Sequence, residues 1–84
     1  MYADRIINFG AKFNGRLDSA LLQAALDYVG FGEEVLAFET LCDHIYEYDI
    51  SISQSEYEIA IKLALDMDLS FEENRFRCLK ELIK

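Results

Sequence analysis

The sequence predicts an all-α fold, a compact bundle of four to five short helices in one domain spanning residues 1–84, and three observations carry that prediction. Proline is absent and glycine occurs only at positions 10, 15, 30 and 32, so long stretches contain no residue that breaks a helix. Large apolar side chains recur three and four residues apart, the spacing that gathers them on one helix face. Two Ser-x-x-Glu patterns, Ser53 to Glu56 and Ser70 to Glu73, read as capping boxes that open helices. In each, hydroxyl and carboxylate satisfy backbone donors at the helix start, worth about 1 kcal/mol.

The first helix aligns Tyr2, Ile6, Phe9 and Phe13, with Ile7 widening the stripe, and Asn14-Gly15 supplies residues that tolerate the left-handed backbone of a helix end. In the second, Asp18 or Ser19 caps the free N–H groups, and Leu21, Leu22, Ala25, Leu26 and Val29 form the apolar stripe. Gly30-Phe31-Gly32 then reverses the chain as the turn of an antiparallel hairpin, with Phe31 as an aromatic plug. The third helix runs from about Glu33 to Tyr48, and its core face is Val35, Phe38, Leu41, Cys42 and Ile45.

Ile50-Ser51-Ile52 reads as an extended connector with both isoleucines turned inward, and is not expected to be a sheet strand. A fourth helix presents Tyr57, Ala60, Ile61, Ala64, Leu65 and Met67 before Asp68-Leu69-Ser70 interrupts it. The last helix opens at Ser70 and buries Phe76, Leu79, Leu82 and Ile83, with Lys80 and Lys84 at the end where the helix dipole favours cations.

Composition narrows the function. Apolar residues are 52% and charged residues 29%, which separates the chain from disordered sequences, and 16 acidic against 8 basic residues give a formal charge of -8. The charge is also segregated. No lysine or arginine lies between Arg16 and Lys62, whereas Asp18, Asp27, Glu33, Glu34, Glu39, Asp43, Glu47, Asp49, Glu56 and Glu58 all do. Such a surface repels nucleic acid and attracts basic proteins. No run reaches the ~20 apolar residues of a membrane span and no targeting signal is read at the N-terminus, so a cytoplasmic location is expected. Cys42 and Cys78 are too few for a disulfide framework and read as reduced thiols, although one bridge between them stays open.

Catalytic chemistry finds little footing. His44 is the one histidine, and Cys42 lies two residues before it, about 200° away around a helix, so the two make neither a nucleophile–base pair nor a zinc pair. Asp43 and Glu47 could converge on calcium, but no D-x-D-x-D-G loop supports them. Phosphate-binding and hydrolase motifs are also missing. We expect no enzyme activity, no cofactor and no metal.

On the third helix Glu39, Asp43 and Glu47 recur at i, i+4 and i+8, where like charges cost a few tenths of a kcal/mol per pair. A selective reason other than helix stability is expected, and the neighbouring Tyr46 and Tyr48 suggest interface anchors.

From Leu17 to Leu69 the chain resembles the MafI family of small immunity proteins found with bacterial polymorphic and contact-dependent toxins. The resemblance lies in L-D-S-A-L at Leu17–Leu21, then G-E-E-V-L-A-F-E-x-L-C-D at Gly32–Asp43, then I-Y-E-Y-D-I-x-I-S at Ile45–Ser53 with the Ser-x-x-E-Y continuation. It implies a bacterial cytosolic antidote that binds and neutralises the toxin domain encoded beside it, with no catalytic residues to carry over. A nuclease toxin exposes a basic groove for phosphate, which a carboxylate-rich helix could occupy. The expected toxin-binding set is Glu39, Asp43, Tyr46, Glu47, Tyr48 and Asp49, over the toxin active site or beside it. An acidic helical adaptor or regulatory subunit that binds a basic protein is the alternative composition allows.

Overall fold

The computed structural model describes residues 1–69 and 74–84, and within them the chain is the expected all-helical bundle. Its elements are α1 (Ala3–Ala11), α2 (Ser19–Gly30), α3 (Glu34–Glu47), α4 (Gln54–Asp66) and α5 (Asn74–Arg77), with α5 continuing directly into a 3-10 turn at Cys78–Leu82. Helix α3 is central, packing on α1, α2, α5 and the 3-10 turn, while α4 packs on α1. No helix among the described residues is long and apolar enough to cross a membrane.

The core is threaded by four phenylalanines. Phe9 meets Phe13 edge-on at 5.2 Å between ring centroids, Phe9 meets Phe38 at 6.1 Å, and Phe38 stacks on Phe76 at 5.6 Å. Rings at these separations add about 0.5–1.5 kcal/mol per pair to the gain from burial. Ile6, Leu41, Ile45, Leu63 and Leu79 fill the space around them. Gly10 permits α1 and α2 to approach closely, since a methyl group there would sit 3.1 Å from a Leu26 methyl.

The ends of α2, α3 and α4 follow one device. At α2 the Glu33 N–H donates to the Tyr28 carbonyl and the Gly32 N–H to the Val29 carbonyl, with Gly32 in the left-handed region at φ 75°. The same pair of bonds closes α3 around Asp49, at φ 54°, and α4 around Asp68, at φ 63°. At the helix starts, Asp18 supplies the α2 cap by accepting from the Ala20 and Leu21 N–H groups. The Ser53–Glu56 capping box is present in full at α4.

Several side chains depart from the expected arrangement, each for a packing reason. Helix α1 ends at Ala11, short of Phe13, and Phe13 is carried into the core by the following turn. Ile7 is exposed because Ile6, Phe9 and Gly10 already make the inward face. Phe31 is no plug, being 79% exposed, since the bonds that reverse the chain leave its side chain outside the hairpin. Val35 is exposed while Ala37 takes the core position beside Phe38. On α4 two helical stripes overlap in the sequence, and the bundle buries Ala60, Leu63, Ala64 and Met67 while Leu65 stays 53% exposed. The small Ala60 and Ala64 suit an inward face that must accept a neighbouring helix.

The C-terminal segment tightens where a longer α-helix was expected. Phe76, Leu79 and Leu82 are all buried at intervals of three, which suits three residues per turn, while Ile83 is only partly covered. The expected opening of this segment at Ser70–Glu73 lies outside the described residues. Ile52 is buried in the α3–α4 connector and exchanges backbone bonds with the chain end, its N–H donating to the Leu82 carbonyl and its carbonyl accepting from the Lys84 N–H. That isolated bridge is not a sheet strand.

Arg16 ties this connector to the α1–α2 turn. Its guanidinium donates bidentately to Glu56, Nη1 to Oε1 at 3.1 Å and Nη2 to Oε2 at 2.6 Å. It also donates to the Ser51 and Lys12 carbonyls, and lies 4.5 Å from the Phe13 ring centroid. The guanidinium holds the Glu56 carboxyl below its ordinary range, first by the hydrogen bond, aided by the Ser53 N–H. A carboxyl whose pKa is lower folded than unfolded stabilises fully above its unfolded pKa and loses that contribution as pH falls through the folded value.

Two outcomes follow for stability. Phe38→Ala should cost about 3–5 kcal/mol, whereas Leu65→Ala should stay within about 0.5 kcal/mol, as read by urea unfolding. Glu56→Gln should destabilise by roughly 1 kcal/mol near neutrality. That difference from wild type should vanish in acid below the ordinary carboxylate range, and a constant difference across pH would exclude the ion pair as its source.

Candidate functional site

Helix α3 has two chemically distinct sides. Ala37, Phe38, Leu41, Cys42 and Ile45 are buried. At 3.6 residues per turn, Glu39, Asp43, Tyr46 and Glu47 fall within an arc of about 100° on the other side. Asp43 and Glu47 are exposed there, Glu39 is half-buried, and Tyr46 is 44% exposed. The helix therefore gathers four of the six expected site residues.

The remaining two are placed differently. Tyr48 follows Tyr46 by two residues, so it projects about 160° away, and its ring lies edge-on to His44 at 6.3 Å between centroids. Tyr48 is 51% exposed, but it does not join Tyr46 in one aromatic centre. Asp49 is exposed at the helix end in the left-handed conformation, so its position has a backbone role as well as a charge. Asparagine and aspartate tolerate that conformation better than other side chains with a Cβ.

Tyr46 is steered by the C-terminal segment. Hydrogen bonding with Cys78 pushes its phenol above the ordinary tyrosine value, and the Glu81 and Asp49 carboxylates act in the same direction. Both cysteines are free thiols, Cys42 buried and Cys78 half-buried. His44 is half-buried with its Nδ1 shielded from solvent and lacking a hydrogen-bond partner among the described residues. No group of three or more His, Cys, Asp and Glu side chains among those residues is arranged to hold a metal.

Not every carboxylate of the acidic stretch is offered outward. Glu34 accepts from the Met1 ammonium at 3.0 Å and the Tyr2 N–H at 3.2 Å, which lowers its pKa. Glu56 is taken by Arg16. Asp66, just beyond the stretch, pairs with Arg5 at 2.9 Å and Lys62 at 3.3 Å. These groups serve the fold.

The sequence reading missed the apolar end of the same face. Val35 and Leu36 are exposed, and they precede Glu39 by four and three residues, which sets both beside it on the outward arc. That spacing was readable, but Val35 matched the core stripe equally well. Phe31 stands at the preceding turn. The face accordingly runs from apolar residues at the start of α3, through carboxylates, to Tyr46 and Glu47.

Replacing Asp49 with glycine should stabilise the protein by about 0.5–1 kcal/mol, because glycine takes a positive φ without steric cost. A loss of stability on thermal or urea unfolding would show that the Asp49 side chain supports the fold through its own contacts. No family model matches the chain, and no curated protein or solved structure matches it.

Proposed function

We propose that this chain is an immunity protein that binds and neutralises the toxin domain encoded beside it, through the outward face of α3. The observation that carries the reading is the division of α3. One side supplies the centre of the core, while the other sets Glu39, Asp43 and Glu47 beside Tyr46, at an i, i+4, i+8 spacing of like charges that weakens an isolated helix. Like charges on an exposed helix face become favourable when a cationic surface covers them. The pattern resemblance over Leu17 to Leu69 supports the same role and names the class of partner.

In this reading the partner is a basic toxin domain, such as a nuclease whose phosphate-binding groove is lined by lysine and arginine. The protein performs no chemistry of its own. It acts by stoichiometric occupancy, and the carboxylates chiefly accelerate encounter while any fully desolvated pair slows dissociation. A bacterial cytoplasmic site of action belongs to this proposal.

Co-expression with the C-terminal domain of the neighbouring large gene product tests it, with growth rescue and co-purification as readouts. Rescue and a complex are expected, and failure of both would sink the reading. With that domain in hand, the double reversal Asp43→Lys with Glu47→Lys should weaken binding by at least about tenfold at low salt, with the helical circular dichroism retained. Unchanged binding would move the interface away from this face.

A further inference from the structure

We propose that Phe31 is the anchor side chain of the interaction surface, and that its occupant is a cationic protein domain presenting an apolar recess, an inference that rests on the toxin-binding reading above. At 79% exposure Phe31 is by far the most exposed large aromatic side chain described, and it lies outside both the core cluster and the residues packed against it. Tyr28, Val35 and Leu36 are also exposed within the α2–α3 corner, so Phe31 stands in an apolar neighbourhood. The space is open as well, since a methyl group added at Gly30 or Gly32 would meet nothing within 4 Å.

Exposure alone does not make an anchor, but this corner is also held in shape. The Phe31 N–H donates to the Tyr28 carbonyl at 3.1 Å, and its two successors donate to Val29 and Tyr28 at 3.1 and 2.9 Å. Three consecutive backbone bonds fix the residue that bears the ring, so little backbone freedom is left to lose on binding. Of the two tyrosines expected at the site, Tyr48 lies edge-on to His44 and Tyr46 stands where Cys78 influences its phenol. Phe31 makes no such ring contact and no core packing among the described residues.

Charge selects the occupant. From Leu17 to Ile61 every charged side chain is acidic, and Asp27 and Glu33 flank the corner in the sequence. The Met1 ammonium is held on Glu34, next to Glu33 in the chain. An anionic membrane surface or a nucleic acid would be repelled, and a second copy would bring like charges together. A basic protein gains from both the carboxylates and the ring, which fits an aromatic hot spot bordered by steering charges.

The test measures binding of the purified neighbouring toxin domain to wild type, Phe31→Ala and Phe31→Leu, with melting temperature and sedimentation of each variant. Phe31→Ala should weaken binding by about 30-fold, mainly through faster dissociation, with melting unchanged, and Phe31→Leu should restore most of the affinity. Wild-type binding with Phe31→Ala within about threefold would overturn the anchor and leave the toxin-binding reading standing. No binding by wild type would remove both. A wild-type dimer dissociated by Phe31→Ala would make the occupant a second copy, against this inference.

Discussion

The stacking of Phe38 on Phe76, with Phe9 tilted against Phe38 as well, is the contact on which the rest of the arrangement depends. It joins α1, α3 and the C-terminal segment through one side chain at the middle of α3. Because Phe38 must point inward, the rotation of α3 about its own axis is set. Every residue at another angle is then placed, with Leu41, Cys42 and Ile45 in the core and Glu39, Asp43 and Glu47 on the far side. The acidic face is thus a geometric consequence of the aromatic core.

A second constraint acts where the helical bundle would otherwise be loosely connected. Arg16 closes the α1–α2 turn onto the α3–α4 connector, and the chain end adds its backbone to Ile52 in the same connector. One cation thereby answers a carboxylate from a stretch that has none of its own. Glu56 is also the carboxylate of a capping box, so helix initiation and the long-range ion pair share one side chain. Such sharing makes a small domain less dependent on core size alone.

The candidate site was legible in part. Glu39, Asp43, Tyr46 and Glu47 were brought to one face because a period of 3.6 places them there whatever the rest of the fold does. Tyr46 and Tyr48 were not brought together, for the same reason applied to a spacing of two. Phe31 and Val35 were assigned to the interior on hydrophobicity and spacing, which say that a side chain gains from burial and not that a partner within the chain is available. Their exposure, with that of Leu36, leaves apolar residues beside the start of an acidic face.

Local physics in the sequence by itself determined the helical class, the breaks near Gly15, Gly32, Asp49 and Asp68, the Ser53–Glu56 cap and most core positions, because periodicity, capping and turn chemistry act over a few residues. Tertiary structure alone decided between competing stripes. On α4 the spacing pointed Leu65 inward, but the packing of Ala60 and Ala64 buries Leu63 instead and leaves Leu65 exposed. It also decided that Arg16 answers Glu56, 40 residues away, and that the C-terminal segment tightens to three residues per turn. Those choices depend on which surfaces meet, and no local pattern contains that information.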